Sequence, residues 1–222
     1  MRGSSPFAWS LIGVSALGAV FVYAVQTEPT RFLARQELRW GIHIEPGDVV
    51  FQDLQCGPRC DLIREVTHSR YTHVGIVLDE DGDRVVWEAF RPVGRAPLAD
   101  WVQRGRDKLV AVYRWDAASR DHLPAIAREV RAMRGLPYDG DYQWDDDRIY
   151  CSELIAKAAQ RATGHVLFEP HPSGPGSFGA NAGLIRQMSK GRLTEQTPLV
   201  SPWDLTRSAH LTRVVDELAA MP

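Results

Sequence analysis

The chain has 222 residues, and about 190 of them follow the N-terminal segment, which is enough for one domain with a sizeable core. Hydrophobic residues make up 44% and charged residues 24%, and these are ordinary values for a globular protein. The formal net charge of -2 creates no overall field that would attract nucleic acid, so no nucleic-acid partner is expected.

The first feature along the chain is an uncharged run over residues 7–25, FAWSLIGVSALGAVFVYAV. As a helix this run is about 28 Å long, close to the hydrocarbon thickness of a bilayer. A cleaved signal peptide and a buried core helix are the alternatives. We therefore predict a membrane anchor or signal segment over 1–26, a linker over 27–44 and a folded domain over 45–222.

The three cysteines divide into a pair and a single residue. Cys56 and Cys60 form the motif CGPRC, while Cys151 stands alone. In an exported protein the pair would close a small disulfide loop, and the alternative is a plain surface loop with two thiols. A structural zinc needs two further ligands, and no second Cys or His pair has a matching spacing, so no metal is expected.

A turn over 45–48 and a short strand over 49–51 are expected to open the domain, followed by a helix over 61–68. A strand over 109–115 comes later. Asp121 is expected to cap the helix that follows this strand.

Between these elements, two strand-like runs flank the dipeptide Asp81-Gly82, which is a strong hairpin signal. A two-residue turn there makes one face of the hairpin wholly apolar, so that this face must be core. On the other face His73 and Glu88 are diagonal neighbours roughly 7 Å apart, and Gly75 leaves room between them.

A helix predicted over 148–161 ends at Gly164 and places Cys151 in its first turn, pointing toward the core. The segment 169–183 is rich in Gly and Pro, and we expect it to be a loop or lid. Ser201 has the features of a helix N-cap.

Cys151, His73 and Glu88 together suggest nucleophilic catalysis. A thiol is nucleophilic as a thiolate, which a helix N-terminus and a neighbouring imidazolium both favour. His73 can serve as the base if the Cys151 helix packs on the hairpin face that presents it, and Glu88 would then orient the ring. The alternatives are a core cysteine, a satisfied polar histidine and a charge at a strand edge.

Four motifs make the chain similar to a known family. They are YTHVGI over 71–76, WEA over 87–89, GLPYD over 135–139 and DRIYCSEL over 147–154. Together they resemble the YiiX/YebB-like branch of the NlpC-type papain superfamily over residues 46–205. In that branch the order is permuted, so that the His strand precedes the Cys helix. The resemblance implies Cys151 as nucleophile, His73 as base and Glu88 as the third member.

The expected fold is therefore α+β, a circularly permuted papain-like/NlpC-type fold with a small antiparallel sheet packed against helices, plus the N-terminal transmembrane helix. The expected activity is that of a cysteine hydrolase of amidase or peptidase type that acts on a cell-envelope amide or N-acyl substrate through a thioester, without metal or organic cofactor. A lipid-directed acyltransferase or thioesterase with the same triad, and a non-catalytic binding or scaffold protein, are the alternatives.

The expected partners are a small-molecule, peptide or lipid substrate and, through the N-terminal helix, a membrane. The charges flanking that helix do not settle its orientation, since Arg2 precedes it and three arginines follow within residues 31–39. The cysteine pair and the envelope setting that the resemblance implies favour the extracytoplasmic, periplasmic side, or secretion if the segment is cleaved.

Overall fold

The structure is a computed structural model that describes residues 32, 33, 35–37, 39 and 41–219. The apolar run 7–25, predicted to be an anchor, lies outside these residues. Within the described part of the chain, no helix is both long enough and apolar enough to cross a bilayer.

The described residues form a six-stranded antiparallel sheet with the strand order β4-β3-β2-β1-β5-β6. The strands in chain order are β1 (Val49–Leu54), β2 (His73–Glu80), β3 (Asp83–Ala89), β4 (Val93–Pro97), β5 (Gly105–Trp115) and β6 (Leu211–Asp216). From residue 41 onward the helices are α1 (Pro58–Thr67), α2 (Leu98–Arg104), α3 (Ala117–Arg120), α4 (Leu123–Ala132), α5 (Cys151–Thr163), α6 (Ala182–Met188) and α7 (Pro202–Thr206). A 3-10 turn, Gly179–Asn181, precedes α6.

The β2–β3 hairpin has the predicted register. Leu78 pairs with Val85, and Glu80 pairs with Asp83. The two turn residues, Asp81 and Gly82, both have positive φ angles, 57° and 89°. A two-residue turn whose twist matches that of the flanking strands requires this conformation. This requirement explains why the Asp-Gly dipeptide fixes the pairing.

Both faces of the sheet are buried, whereas the sequence indicated core on only one face of the hairpin. Val74 and Ile76 pack in the larger core with α4 and α5. Val77 belongs to a second core on the other face, which α2 covers together with Leu33 and Ile44. Part of the segment 27–44 is therefore packed on the domain.

Several predicted boundaries are wrong for local reasons. Asp121 does not cap α4: it is the C-cap of the short helix α3, and His122 is the N-cap of α4. The helix expected from 148 begins at Cys151, because Ile149 is bridged to Tyr138 in an extended conformation that a helix cannot contain.

Other elements begin earlier than predicted or were missed. The helix expected from 61 begins at Pro58, and the strand expected from 109 begins at Gly105. The sequence did not predict β4, α2 or β6, which are short or lack clear periodicity. The loop predicted over 169–183 is largely irregular but contains the 3-10 turn and the start of α6. Gly164 and Ser201 have the predicted capping roles.

Candidate active site

The β2–β3 hairpin brings His73 and Glu88 together. Nε2 of His73 lies 2.6 Å from Oε2 of Glu88, and both side chains are buried. The His73 ring also stacks on Trp101 at a centroid distance of 6.2 Å and meets Phe90 edge-on at 5.8 Å. Because Glu88 engages Nε2, the ring nitrogen that remains to exchange a proton with another group is Nδ1.

Two donors from α2 hold the carboxylate of Glu88. Trp101 donates its indole N–H to Oε2 at 3.0 Å, and Arg104 donates to Oε1 at 2.6 Å. Burial alone would raise the pKa of Glu88, but the hydrogen bonds and charges of His73 and Arg104 hold this pKa below its ordinary value. Glu88 is therefore a carboxylate at neutral pH and can stabilise a protonated imidazole.

Cys151 is the first residue of α5, and its thiol is free and buried. The preceding residue, Tyr150, is the N-cap, and its backbone N–H donates to the carboxylate of Glu153 at 3.2 Å. The first N–H groups of a helix have no acceptor within the helix, and the aligned peptide dipoles favour negative charge there. Cys151 thus lies at the end of the helix where negative charge is favoured.

The thiol of Cys151 lies close enough to the His73 ring to raise the pKa of the imidazole. The helix α5 does not pack on the hairpin face of His73, as the sequence reasoning required, but on the opposite face with Val74 and Ile76. The contact is made at the beginning of β2, since His73 is the first residue of that strand. Burial alone would lower the pKa of His73, but its interactions with Cys151 and Glu88 raise it to about 9.

A cavity of about 250 Å³ lies beside Cys151. Its lining comes from α1, from residues 150–152 at the start of α5, and from two later segments, 171–185 and 193–204, that lie more than a hundred residues after α1. Tyr142 also lines it, and the Tyr142 hydroxyl is buried: it lies close to Tyr138 but forms no hydrogen bond of good geometry among the described residues. The cavity supplies room for a substrate directly at the thiol.

The structure joins His73 to Glu88 and places Cys151 on the helix that packs against β2, but sequence reasoning missed the residues around them. Trp101 and Arg104 lie on a seven-residue helix that is too short to show a clear helical period. Tyr142 lies in a loop rich in Tyr, Trp and Asp, a composition that does not single out one residue for the site. Its positive φ of 56°, unusual for an aromatic residue, is visible only in the structure.

The fold and the site define a permuted papain-like protein, in which the strand bearing the histidine precedes the helix bearing the cysteine. The model of one family, described as "Permuted papain-like amidase enzyme, YaeF/YiiX, C92 family", matches residues 43–215. The chain belongs to this family, whose members are hydrolases of the papain-like type.

Two comparisons with individual proteins agree with this assignment. The chain is 29% identical over 178 residues to the uncharacterized protein YiiX of Escherichia coli strain K12, covering 78% of this chain and 87% of the relative. It is also similar to the crystal structure of YiiX from Escherichia coli O157:H7, which is described as a metalloprotein, with a TM-score of 0.68 and 29% identity. That match covers 78% of this chain and 97% of the YiiX chain.

Proposed function

We propose that this protein hydrolyses an amide or N-acyl bond, with Cys151 as nucleophile, His73 as general base and Glu88 as the residue that orients the base. The observation that carries the proposal is the shared imidazole. His73 is bonded through Nε2 to a buried carboxylate, and the thiol at the start of α5 is among the groups that raise the pKa of the same imidazole. A merely structural histidine does not need both partners.

The reaction follows from this arrangement. The Cys151 proton passes to Nδ1 of His73, and the thiolate attacks the substrate carbonyl carbon to form a C–S bond. As the C–N bond breaks, His73 returns the proton to the leaving amine, and a thioester remains on Cys151. Water then attacks the thioester and gives up a proton to His73. The C–S bond breaks, the acid leaves, and the thiol is restored.

Two groups are suitable to stabilise the oxyanion that forms in each step. The free N–H groups at the start of α5 point toward the end of the helix where Cys151 lies. The second group is the hydroxyl of Tyr142, which is buried beside the cavity and forms no hydrogen bond of good geometry among the described residues.

The metal implied by the description of YiiX as a metalloprotein has no evident ligand set here. Over residues 41–219 and the described part of 32–39, no group of three or more His, Cys, Asp or Glu side chains is placed to hold a metal ion. The residues present therefore do not fit a metal centre, and none of the steps above uses one.

We further propose that the domain lies on the extracytoplasmic side of a membrane, tethered by residues 7–25. Cys56 and Cys60 form a disulfide, and disulfides persist in oxidising compartments. Protease added to intact spheroplasts should cleave the domain from the membrane fraction, whereas a protected domain with free thiols at both positions would reverse the orientation.

A panel of amides assayed with wild type and with Cys151→Ala tests the proposed activity. We expect hydrolysis to disappear in Cys151→Ala. The double variant Cys56→Ser, Cys60→Ser is the matched control, because it removes the other two cysteines and changes none of the three proposed catalytic residues. Activity that survives in Cys151→Ala would contradict the proposal, as would a folded wild type that hydrolyses no amide, ester or thioester.

A further inference from the structure

We propose that Arg59 binds a carboxylate of the substrate, so that the amides hydrolysed at Cys151 are those that carry a free carboxylate within reach of this arginine. This inference rests on the proposed function and specifies its substrate class. Three features of Arg59 support it: the absence of an acidic partner among the described residues, its place along α1, and the disulfide that encloses it.

Arg59 is half-buried, and within the described chain no carboxylate pairs with it. The other half-buried arginines of the described chain each lie beside a carboxylate. Arg64 beside Asp53 and Arg104 beside Glu88 are examples. A charge that has lost part of its water without gaining a counterion is costly, and an anionic ligand would offset that cost.

The guanidinium of Arg59 is held against the loop that precedes α5. Its central carbon lies 5.4 Å from the centroid of the Tyr138 ring. A Cβ atom on Gly140 would stand 3.0 Å from both terminal nitrogens, so the guanidinium rests directly on this glycine. Asp139 lies between these two loop residues but pairs with Arg148 at 3.4 Å. The contact with the Tyr138 ring positions the cation and leaves its N–H donors for a ligand.

Arg59 stands at one end of the wall that α1 contributes to the cavity. The residues of α1 that line the cavity beyond its first turn are Leu62, Ile63, Val66 and Thr67. Arg59 precedes the first three of them by three, four and seven positions. Side chains at these spacings share one face of a helix. Since Arg59 is not itself part of the lining, it extends this wall by one helical turn.

The charge of Arg59 reaches the surroundings of the thiol through Tyr142, which lines the cavity. Burial raises the pKa of the Tyr142 hydroxyl to about 12, and the charge of Arg59 opposes this rise. The charge of Cys151 acts on the same hydroxyl and favours the rise. The guanidinium and the thiol are therefore both close enough to Tyr142 to change its pKa, and a small substrate can extend from one to the other.

The disulfide between Cys56 and Cys60 encloses Arg59. Arg59 is the second residue of α1, so the short closed loop CGPRC includes the first residues of this helix. Closing the loop limits the backbone conformations that the arginine can adopt. A cation held in place before the ligand arrives binds an anion at a lower entropic cost. The cysteine pair thus gains a role in the site that is separate from the chemistry at the thiol.

A single cation suits a carboxylate better than a phosphate. Arginine presents its N–H donors in a planar fork that matches either anion. A phosphate monoester carries close to two negative charges at neutral pH and calls for further cations. No Lys or Arg occurs among the described residues that line the cavity, so Arg59 would stand alone as the cation at its end. One positive charge balances one carboxylate.

The test compares amides that differ only in one charge. N-acetylleucine and N-acetylleucinamide place the carboxylate or its neutral counterpart on the amine side, with release of acetate as the measure. Glutaryl 4-nitroanilide and its terminal carboxamide place it on the acyl side. We expect kcat/KM of wild type to be at least about tenfold higher for the carboxylate in one of these pairs, which then identifies the side. Equal values within both pairs would overturn the inference.

Variants assign this preference to Arg59. Arg59→Leu should bring the ratio of the two kcat/KM values to about one, whereas Arg59→Lys should keep part of it because the charge remains. Gly140→Ala should lower the ratio in a folded protein, since the methyl group displaces only the end of a flexible side chain. Arg207→Leu is the matched control: Arg207 also lies over an aromatic ring, that of Trp203 at 5.6 Å, but is exposed. A ratio that survives in Arg59→Leu, or falls equally in Arg207→Leu, would contradict the assignment.

A binding measurement separates this inference from the proposed function. In calorimetry, Cys151→Ala should bind at least one of the two carboxylates about tenfold or more tightly than its neutral counterpart, whether or not wild type hydrolyses amides. Adding Arg59→Leu should remove the difference, and adding Cys56→Ser with Cys60→Ser should reduce it. Equal affinities of Cys151→Ala for the carboxylates and their neutral counterparts would overturn the inference even if wild type is an active amidase.

Discussion

Gly75 lies across the hairpin from Glu88, and the space beside it is already filled by the neighbouring strand. A Cβ atom on Gly75 would stand 2.8 Å from the backbone oxygen of Trp87 and 3.5 Å from Cβ of Glu88. The backbone oxygen of Trp87 cannot move away from an added methyl group as the end of a flexible side chain can. The close approach of β2 and β3, which brings His73 within 2.6 Å of Glu88, therefore depends on glycine at this position.

The first prediction is that Gly75→Ala weakens both the fold and the site. Forcing a methyl group against the Trp87 backbone should lower the free energy of unfolding by about 1–3 kcal/mol. It should also reduce kcat, because the two strands would have to move apart, and this movement would separate His73 from Glu88. Gly94→Ala is the control: Gly94 pairs with Glu88 from β4, and the nearest atom to its Cβ position is 3.9 Å away. Equal losses in both variants would contradict the account.

The second prediction concerns the charge of Glu88. Glu88→Gln keeps the size of the side chain but removes the carboxylate that stabilises protonated His73, so kcat should fall at least tenfold. Glu80→Gln is the matched control, because Glu80 lies on the same hairpin and accepts hydrogen bonds from Trp87 and Arg131. Denaturant unfolding of both variants separates an effect on catalysis from an effect on stability.

The third prediction is the titration of His73, measured by NMR of the imidazole ring. The pKa of His73 should be about 9 in wild type and lower in Cys151→Ala, because the thiol is the first of the interactions that raise it. A value near 6.5 in both proteins would show that the thiol and the ring do not interact.

The raised pKa of His73 also has a consequence for stability. A folded-state pKa above the unfolded value of 6.5 means that the folded form binds the proton more tightly. This contribution is fully present below pH 6.5 and is lost as the pH rises through about 9. At about 1.4 kcal/mol for each pKa unit, it amounts to roughly 3 kcal/mol. Denaturant unfolding of wild type and His73→Gln across this range measures the difference.

The fourth prediction assigns a role to the unpartnered hydroxyl of Tyr142. If it stabilises the oxyanion, Tyr142→Phe should lower kcat about tenfold or more with little change in KM. A purely structural role predicts the reverse, since removing a buried hydroxyl without a partner should stabilise the protein and leave kcat unchanged. Tyr150→Phe is the comparison, because its hydroxyl is already bonded to the backbone N–H of Val200.

The hairpin of the site could be predicted from the sequence because the residues that determine its register are neighbours in the chain. The Asp81-Gly82 turn fixes the register, and the register places His73 and Glu88 on one face. The start of the Cys151 helix was predicted within three residues, and its glycine stop at Gly164 was correct. Local turn chemistry and hydrophobic periodicity are therefore enough to predict the register of the hairpin and the approximate ends of this helix.

The rest depends on packing between segments that are distant in sequence. The short helix α2 supplies Trp101 and Arg104 to Glu88, and nothing in its own sequence shows which carboxylate it meets. The cavity joins α1 to segments more than a hundred residues later. The side of the sheet on which α5 packs is likewise decided by the whole core, so the sequence could state packing on the His73 face only as a condition, and the structure does not meet that condition.

The fifth prediction tests the central claim, that Cys151 carries a thioester during turnover. Wild type should be mixed with the amide that it hydrolyses best, quenched in acid within milliseconds and measured as intact protein by mass spectrometry. We expect a mass increase equal to the acyl group, located on Cys151, released by hydroxylamine and absent from Cys151→Ala. Turnover by Cys151→Ala, which cannot form this adduct, or an acyl group located on another residue of wild type, would contradict the account.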